Sequence, residues 1–506
     1  MSRSSGILLP VFSLPSPWGI GDMGAGADAF LSFLERSRQR TWQVLPVTVT
    51  DGGLAHSPYS SPSAFAGNPL LISPELLFEK APDLRPEGVA SLRGDERVKT
   101  DPDSIRSSVR YETATAEKDR ILRDAFVRMA PLLREESARF RRDNSHWIED
   151  YALFRAIKRS FGGLPWWKWP EPLRFRDASA LDDFRDTQSA EIDFTVFEQW
   201  CFDDQWRDLR GRCSSAGVSL LGDLPIYVMG DSAEVWSRPE LFDLDGDLRP
   251  VRVAGVPPDY FSKDGQRWGN PVYAWERHEA TGFDWWISRL ARALSLYDRV
   301  RIDHFRGLVA FWAVHRDEAT ARNGAWVPVP TESFFRRIRE TFPTMPFLAE
   351  NLGVITPDVT KTMADNGLPG MLVLQFAFGD GLATNPYAPH NHTGANIVYT
   401  GTHDNNTTLG WFDSDATPAE RKNLAAYVGH AVTRSTACGD MIRMAMASVA
   451  TECILPMQDI LERGADARMN TPSTASGNWL WRIGNDDLSG ERATALRNMT
   501  SFFGRG

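Results

Sequence analysis

The sequence predicts an α/β protein built as a (β/α)8 barrel with helical and loop insertions that form subdomains. Three observations lead there. Short apolar runs rich in β-branched and aromatic residues recur along the chain, separated by stretches with helical patterning. At 506 residues the chain exceeds what one compact core usually occupies, which suits several domains or one large barrel with insertions. The rival, a doubly wound sheet, usually carries a Gly-rich phosphate turn after its first strand, and "LPVTVTDGG" matches G-x-G-x-x-G poorly.

Taken in order, the N-terminal "MSRSSGILLPVFSLPSPWG" has an apolar run broken by Pro10, too short for a signal peptide. The first strand is expected in "RTWQVLPVT" (40–48). Between about 70 and 200 the barrel spacing is interrupted. Segment 104–160 has helical periodicity, with Ile121, Leu122, Ala125 and Met129 on one face, and reads as a helix-rich insertion. "GGLPWWKWPEP" (162–172) is a Trp cluster with proline breaks, either a sugar platform or a packed corner. Strand character returns in "VSLLGDLPIYV" (218–228). A loop-rich insertion over about 229–290 follows, where Gly, Pro, Asn and Asp mark loop and Tyr260, Phe261, Trp268 and Tyr273 supply aromatic surface. Loops over a barrel mouth commonly shape the cleft. The remaining strands are expected in "DRVRIDHFRG" (298–307), "PFLAENLG" (346–353), "GMLVLQFAFGD" (370–380), "NIVYTGTHD" (396–404) and "ASVATECILPMQDIL" (447–461). Residues 1–506 are thus expected to form a single catalytic barrel.

Polar residues gather where these runs end, while the early part of each run reads as apolar. Asp223, Asp303, Glu350, Asp404 and Asp459 all lie at or near a C-terminal side, which is the catalytic face of a barrel. In "DRVRIDHFRG", alternation puts Val300 and Ile302 on one face and Arg301, Asp303 and Phe305 on the other. Burying an ionised pair costs several kcal/mol per ion unless it is well partnered. Either a structural salt bridge or a functional site explains the pair, and the convergence of carboxylates on one rim favours function.

Composition excludes several classes. A net charge of −10 argues against a nucleic-acid groove, and no run of about 18 apolar residues suggests a membrane span. Cys201, Cys213, Cys438 and Cys453 show no CxxC spacing and read as reduced, mostly buried thiols, so a cytoplasmic protein is expected. No metal motif survives inspection: His390 and His392 in "PHNH" come nearest and read better as hydrogen-bonded loop imidazoles. Without a G-x-S-x-G elbow or a P-loop, and with no cofactor or metal expected, acid, base and nucleophile must come from carboxylates. Two carboxyl groups flanking an acetal, with a third stabilising charge, are what glycosidic bond cleavage requires. Asp303 suits the nucleophile because Arg301 shares its strand face. Glu350 follows apolar "PFLA", a setting that raises a general acid's pKa, and Asp404 could hold sugar hydroxyls beside His403.

"GDLPIYV", "RIDHFRG", "AENLG" and "GTHDN" resemble the four ordered regions of the α-amylase superfamily. More narrowly, "SPYSSPSAFAGNP", "GVPPDYFSKDGQRWGNP" and "GNWLWR" resemble glycoside hydrolase family 77, the 4-α-glucanotransferases, from residue 13 to residue 482. The resemblance implies Asp303 as nucleophile of a covalent glycosyl-enzyme, Glu350 as acid/base and Asp404 as transition-state stabiliser. It implies that Arg301 and His403 orient the nucleophile and donor sugar, that Asp223 binds sugar hydroxyls, and that Tyr59 and Trp268 lie near the glucan path. The loop around 255–264 would cover the cleft, and no C-terminal β-domain is expected. The implied activity is retaining transfer of a glucan segment between α-1,4-glucans such as maltooligosaccharides or amylose. The alternatives are an α-glucosidase or amylase-type hydrolase and a non-catalytic glucan-binding protein. Three positions depart from the family pattern: Asn351 and Asn406, where Asp is common, and Ser473, where Gly is expected.

Overall fold

The computed structural model describes residues 3–80, 108–258 and 262–506. Its central sheet has eight parallel strands. They are β1 (Ser4–Leu8), β2 (Thr41–Gln43), β3 (Ser219–Leu224), β4 (Arg299–Ile302), β5 (Phe347–Ala349), β6 (Gly370–Val373), β7 (Asn396–Tyr399) and β8 (Glu452–Pro456). In space they run β6, β7, β8, β1, β2, β3, β4, β5, so every sequence neighbour but one is also a hydrogen-bonded neighbour. The remaining seam, β5 to β6, is drawn together by Ala349 N–H donating to Pro369 C=O at 2.9 Å and Met371 N–H donating to Asn351 Oδ1 at 2.7 Å. A nearly closed (β/α)8 barrel results, the class the sequence predicts.

Seven strands start inside the runs read from sequence. The eighth, β1, comes from the N-terminal stretch, whose Ile7, Leu8 and Leu9 are too few before Pro10 to stand out alone. It is completed from both sides, by β2 and β8. Gly6 makes that fit possible, since a Cβ there would lie 2.4 Å from the Thr41 carbonyl oxygen.

Helices cover the barrel outside. Thr331–Thr341, before β5, shows why: Phe334, Phe335 and Ile338 fall on one face and are buried. Between β2 and β3 stand the helices Pro74–Lys80, Tyr111–Met129, Arg134–Asp143, Ile148–Ser160, Ala178–Thr187 and Ser189–Ser215. Tyr111–Met129 buries Ile121, Leu122, Ala125 and Met129, and it also buries Lys118. That ammonium donates to the carbonyls of Leu70 at 2.8 Å and Ile72 at 2.9 Å and pairs with Asp22 at 3.1 Å, which offsets its desolvation and anchors the helix to the barrel.

Residues 229–290 are not simply loop. Strands Gln266–Pro271, Arg252–Val256, Ala310–His315 and Gly324–Pro328 lie side by side, in that order, in a four-stranded antiparallel sheet. The other half of that sheet lies beyond β4, and the Gly, Pro, Asn and Asp content of the segment masks the two strands within it. Tyr273 is buried, its hydroxyl donating to the Ile226 carbonyl at 2.8 Å, and so is core and not surface. Tyr260 and Phe261 lie outside the described residues, as does part of the 255–264 loop.

The strand beginnings are not uniformly apolar either. Inside the barrel Arg299, the first residue of β4, donates to both carboxylate oxygens of Glu452, the first of β8, at 2.7 and 2.8 Å. Above this pair the Tyr399 hydroxyl donates to Gln43 Oε1 at 2.9 Å. Alternation carries the same inward face from Arg299 to Arg301, at the opposite end of the strand.

Candidate active site

Arg301 is buried, and its Nη1 donates to both oxygens of Asp223 at 2.8 Å and to Asp303 Oδ1 at 3.0 Å. The register of β3 against β4, Asp223 opposite Arg301, makes this bridge. One guanidinium therefore orients two carboxylates. Burial pushes the Asp223 carboxyl up, and Arg301 opposes that shift.

Glu350 follows β5 as Asp303 follows β4, and Ile302 pairs with Ala349, so the two carboxylates emerge side by side. His304 N–H donates to Glu350 Oε2 at 2.9 Å, and Leu352 N–H donates to Oε1 at 2.7 Å. Burial nonetheless dominates and lifts the Glu350 carboxyl to about 7, against Arg301. His304 takes a left-handed conformation, φ 45°, which ends the extended run and turns Phe305 into the core on a short 3-10 turn, off the face that strand alternation predicts.

His403 and Asp404 follow β7. His403 Nε2 lies 3.3 Å from Asp404 Oδ2, and Asn470 Nδ2 donates to Asp404 Oδ1 at 2.6 Å. Burial would raise Asp404, but His403 and Asn470 outweigh it and hold the carboxyl well below the ordinary carboxylate range. Burial likewise works against the His403 imidazolium, and Asp404 overcomes it, raising the group. Tyr59 stacks on His403 at 5.0 Å, and its hydroxyl donates to Asp223 Oδ2 at 2.8 Å. Trp268 sits edge-on to His304 at 4.8 Å and is 38% exposed. The fold thus brings Tyr59, Asp223, Trp268, Arg301, Asp303, Glu350, His403 and Asp404 to one rim.

The sequence matches the glycoside hydrolase family 77 profile, 4-alpha-glucanotransferase, over residues 9–486. The chain belongs to this family. It is 46% identical to the 4-alpha-glucanotransferase of Thermus thermophilus over 99% of this chain and 98% of that one. To that of Aquifex aeolicus it is 42% identical over 99% of both. The amylomaltase of Streptococcus agalactiae, solved in complex with acarbose, superposes with a TM-score of 0.92 at 36% identity, covering 100% of each chain. The protein is accordingly a glucan-transferring enzyme.

Against the family pattern, Asn351 serves the barrel seam, and Asn406 turns away from the rim, its Nδ2 donating to Asp415 Oδ2 at 3.1 Å. Ser473 has φ 66°, the conformation that glycine would take without strain. Asp459 does not join the rim. It is fully buried, accepting from the Thr408 N–H and hydroxyl, both at 2.7 Å, and from the Thr400 hydroxyl at 2.5 Å. His390 and His392 face different partners, Tyr427 and Ser448. Asn470, Trp479 and the amides of His304 and Leu352 are absent from the sequence reading. "GNWLWR" signals Trp479, which packs against Tyr59 at 5.8 Å; backbone donors leave no signal in sequence.

Proposed function

We propose that the enzyme transfers a segment of an α-1,4-glucan to the 4-hydroxyl of another glucan or glucose by a retaining double displacement centred on Asp303 and Glu350. The observation that carries this reading is the pairing of an Arg301-oriented carboxylate with a neighbouring carboxyl held near 7. In the first step an Asp303 oxygen attacks the anomeric carbon, the glycosidic C–O bond breaks, and the Glu350 proton passes to the departing oxygen. In the second, the acceptor hydroxyl gives its proton to Glu350 and attacks the same carbon, releasing Asp303. Two inversions leave the α configuration. Asp404, held anionic, suits the developing positive charge and the sugar hydroxyls; Asp223, Tyr59 and His403 form the wall around the bound sugar. The acarbose held by the Streptococcus agalactiae amylomaltase supports a glucan-shaped cleft in this chain. A cytoplasmic setting, with intracellular maltooligosaccharides as donor and acceptor, completes the proposal; among the described residues no helix is long and apolar enough to cross a membrane.

Incubation with maltotriose tests the reaction. Glucose plus longer oligomers at constant total reducing ends is the expected result, whereas rising reducing ends with only shorter products would mean hydrolysis. Asp303→Asn should abolish turnover while retaining the fold and glucan binding; an active variant would refute its role.

A further inference from the structure

We propose that Trp167 is an outer stacking platform for long α-1,4-glucan chains, extending the cleft beyond Trp268. This rests on the reading of the Asp303 and Glu350 rim as the reaction centre. The three tryptophans of "PWWKWP" have different fates. Trp166 and Trp169 are buried and donate their indole N–H groups to the carbonyls of Gly230 at 2.8 Å and Leu164 at 3.0 Å. Trp167 is 39% exposed, and among the described residues its indole N–H donates to no protein acceptor.

A single exposed tryptophan is ordinary on a protein surface. Two features separate this one. It is held rigidly: the 3-10 turn Trp166–Lys168 follows Pro165 and precedes Pro170, Trp166 N–H donates to Asp231 Oδ1 at 3.1 Å, and the Trp166 ring braces Trp167 edge-on at 5.7 Å. An immobilised ring loses little entropy when a sugar stacks on it. It is also continuous with the cleft. A Cβ on Gly230 would lie 3.9 Å from both Trp167 Cζ3 and Pro271 Cδ, so the two side chains flank the same open side of that glycine on the segment leaving β3. Pro271 ends the strand that carries Trp268, and Asn270 in that strand donates to the Val228 carbonyl at 2.9 Å. Trp268 in turn touches Tyr227 at 6.1 Å and His304 beside Asp303. A chain leaving the reaction centre across Trp268 meets Trp167 next, where the apolar face of a pyranose can stack and a hydroxyl can accept from the free N–H.

The test compares amylose, whose chain runs on past Trp268, with maltotriose, whose three sugars are taken up at the reaction centre. Trp167→Ala should lower kcat/KM for amylose about threefold to tenfold through KM, leaving maltotriose turnover and the thermal midpoint unchanged. Trp167→Phe should restore most of the loss, and Trp167→Gln, suited to an exposed site, repeats the test should the alanine variant misfold. An unchanged amylose KM, equal losses on both substrates, or no recovery with Phe would overturn the proposal. Failure of the reaction-centre reading would show separately, as turnover persisting in Asp303→Asn.

Discussion

Glu350 is pulled two ways. Burial raises its carboxyl from 4.5 to about 7, while Arg301 and the amides of His304 and Leu352 favour the anion. As the proposed acid it must carry a proton, so kcat/KM should fall as pH rises through about 7, and Glu350→Gln should remove transfer at every pH. The same shift has a consequence for stability. Between 4.5 and about 7 the folded chain keeps a proton that the unfolded chain has released, so this residue's contribution to stability declines as pH rises through that window. Denaturant midpoints at pH 5 and pH 8 should therefore drop less for Glu350→Gln than for the parent. An equal drop would mean that Glu350 is not the buried proton holder. Asp404 differs by its partners, because the His403 ring and the Asn470 amide both favour its anion.

At the scale of the element, the segment after β8 carries both Asn470, which holds Asp404, and Ser473, at φ 66°. A left-handed conformation costs a side chain roughly 1–2 kcal/mol, partly balanced by the greater unfolded freedom of glycine. Ser473→Gly should accordingly stabilise the protein by up to about 1 kcal/mol, read as a rise in thermal midpoint; a fall would show that the Ser473 side chain contributes more than the strain costs. The glycine expectation at this position came from the family resemblance, and the left-handed backbone is the physical reason for it. Strand β4 was legible because alternation dictates which side chains share a face. The left-handed turn at His304 was not, because a histidine adopts it only when the surroundings, here Glu350 accepting its N–H, hold it there. The small antiparallel sheet was hidden because the ladder that joins its two halves, Arg252–Val256 with Ala310–His315, pairs across β4.

For the whole molecule, closure is decided at the β5 to β6 seam. Asn351 Oδ1 accepts the Met371 N–H there, so Asn351→Ala should lower stability by about 1–2 kcal/mol by leaving that donor unpaired. Asn351→Asp, which keeps an acceptor, should cost far less; equal losses in a denaturant titration would show that the side-chain acceptor is not what matters. The sequence by itself determined the barrel class, most strand positions and the presence of polar groups at the strand ends, because hydrophobic period and side-chain alternation are local properties. Only the tertiary structure decided which of those groups meet. Asp223 and Arg301 stand 78 residues apart and join through strand register, whereas Asp459, equally well placed in sequence, is consumed by Thr400 and Thr408. Partner choice depends on register and burial across the whole barrel, and these are set by packing between distant segments.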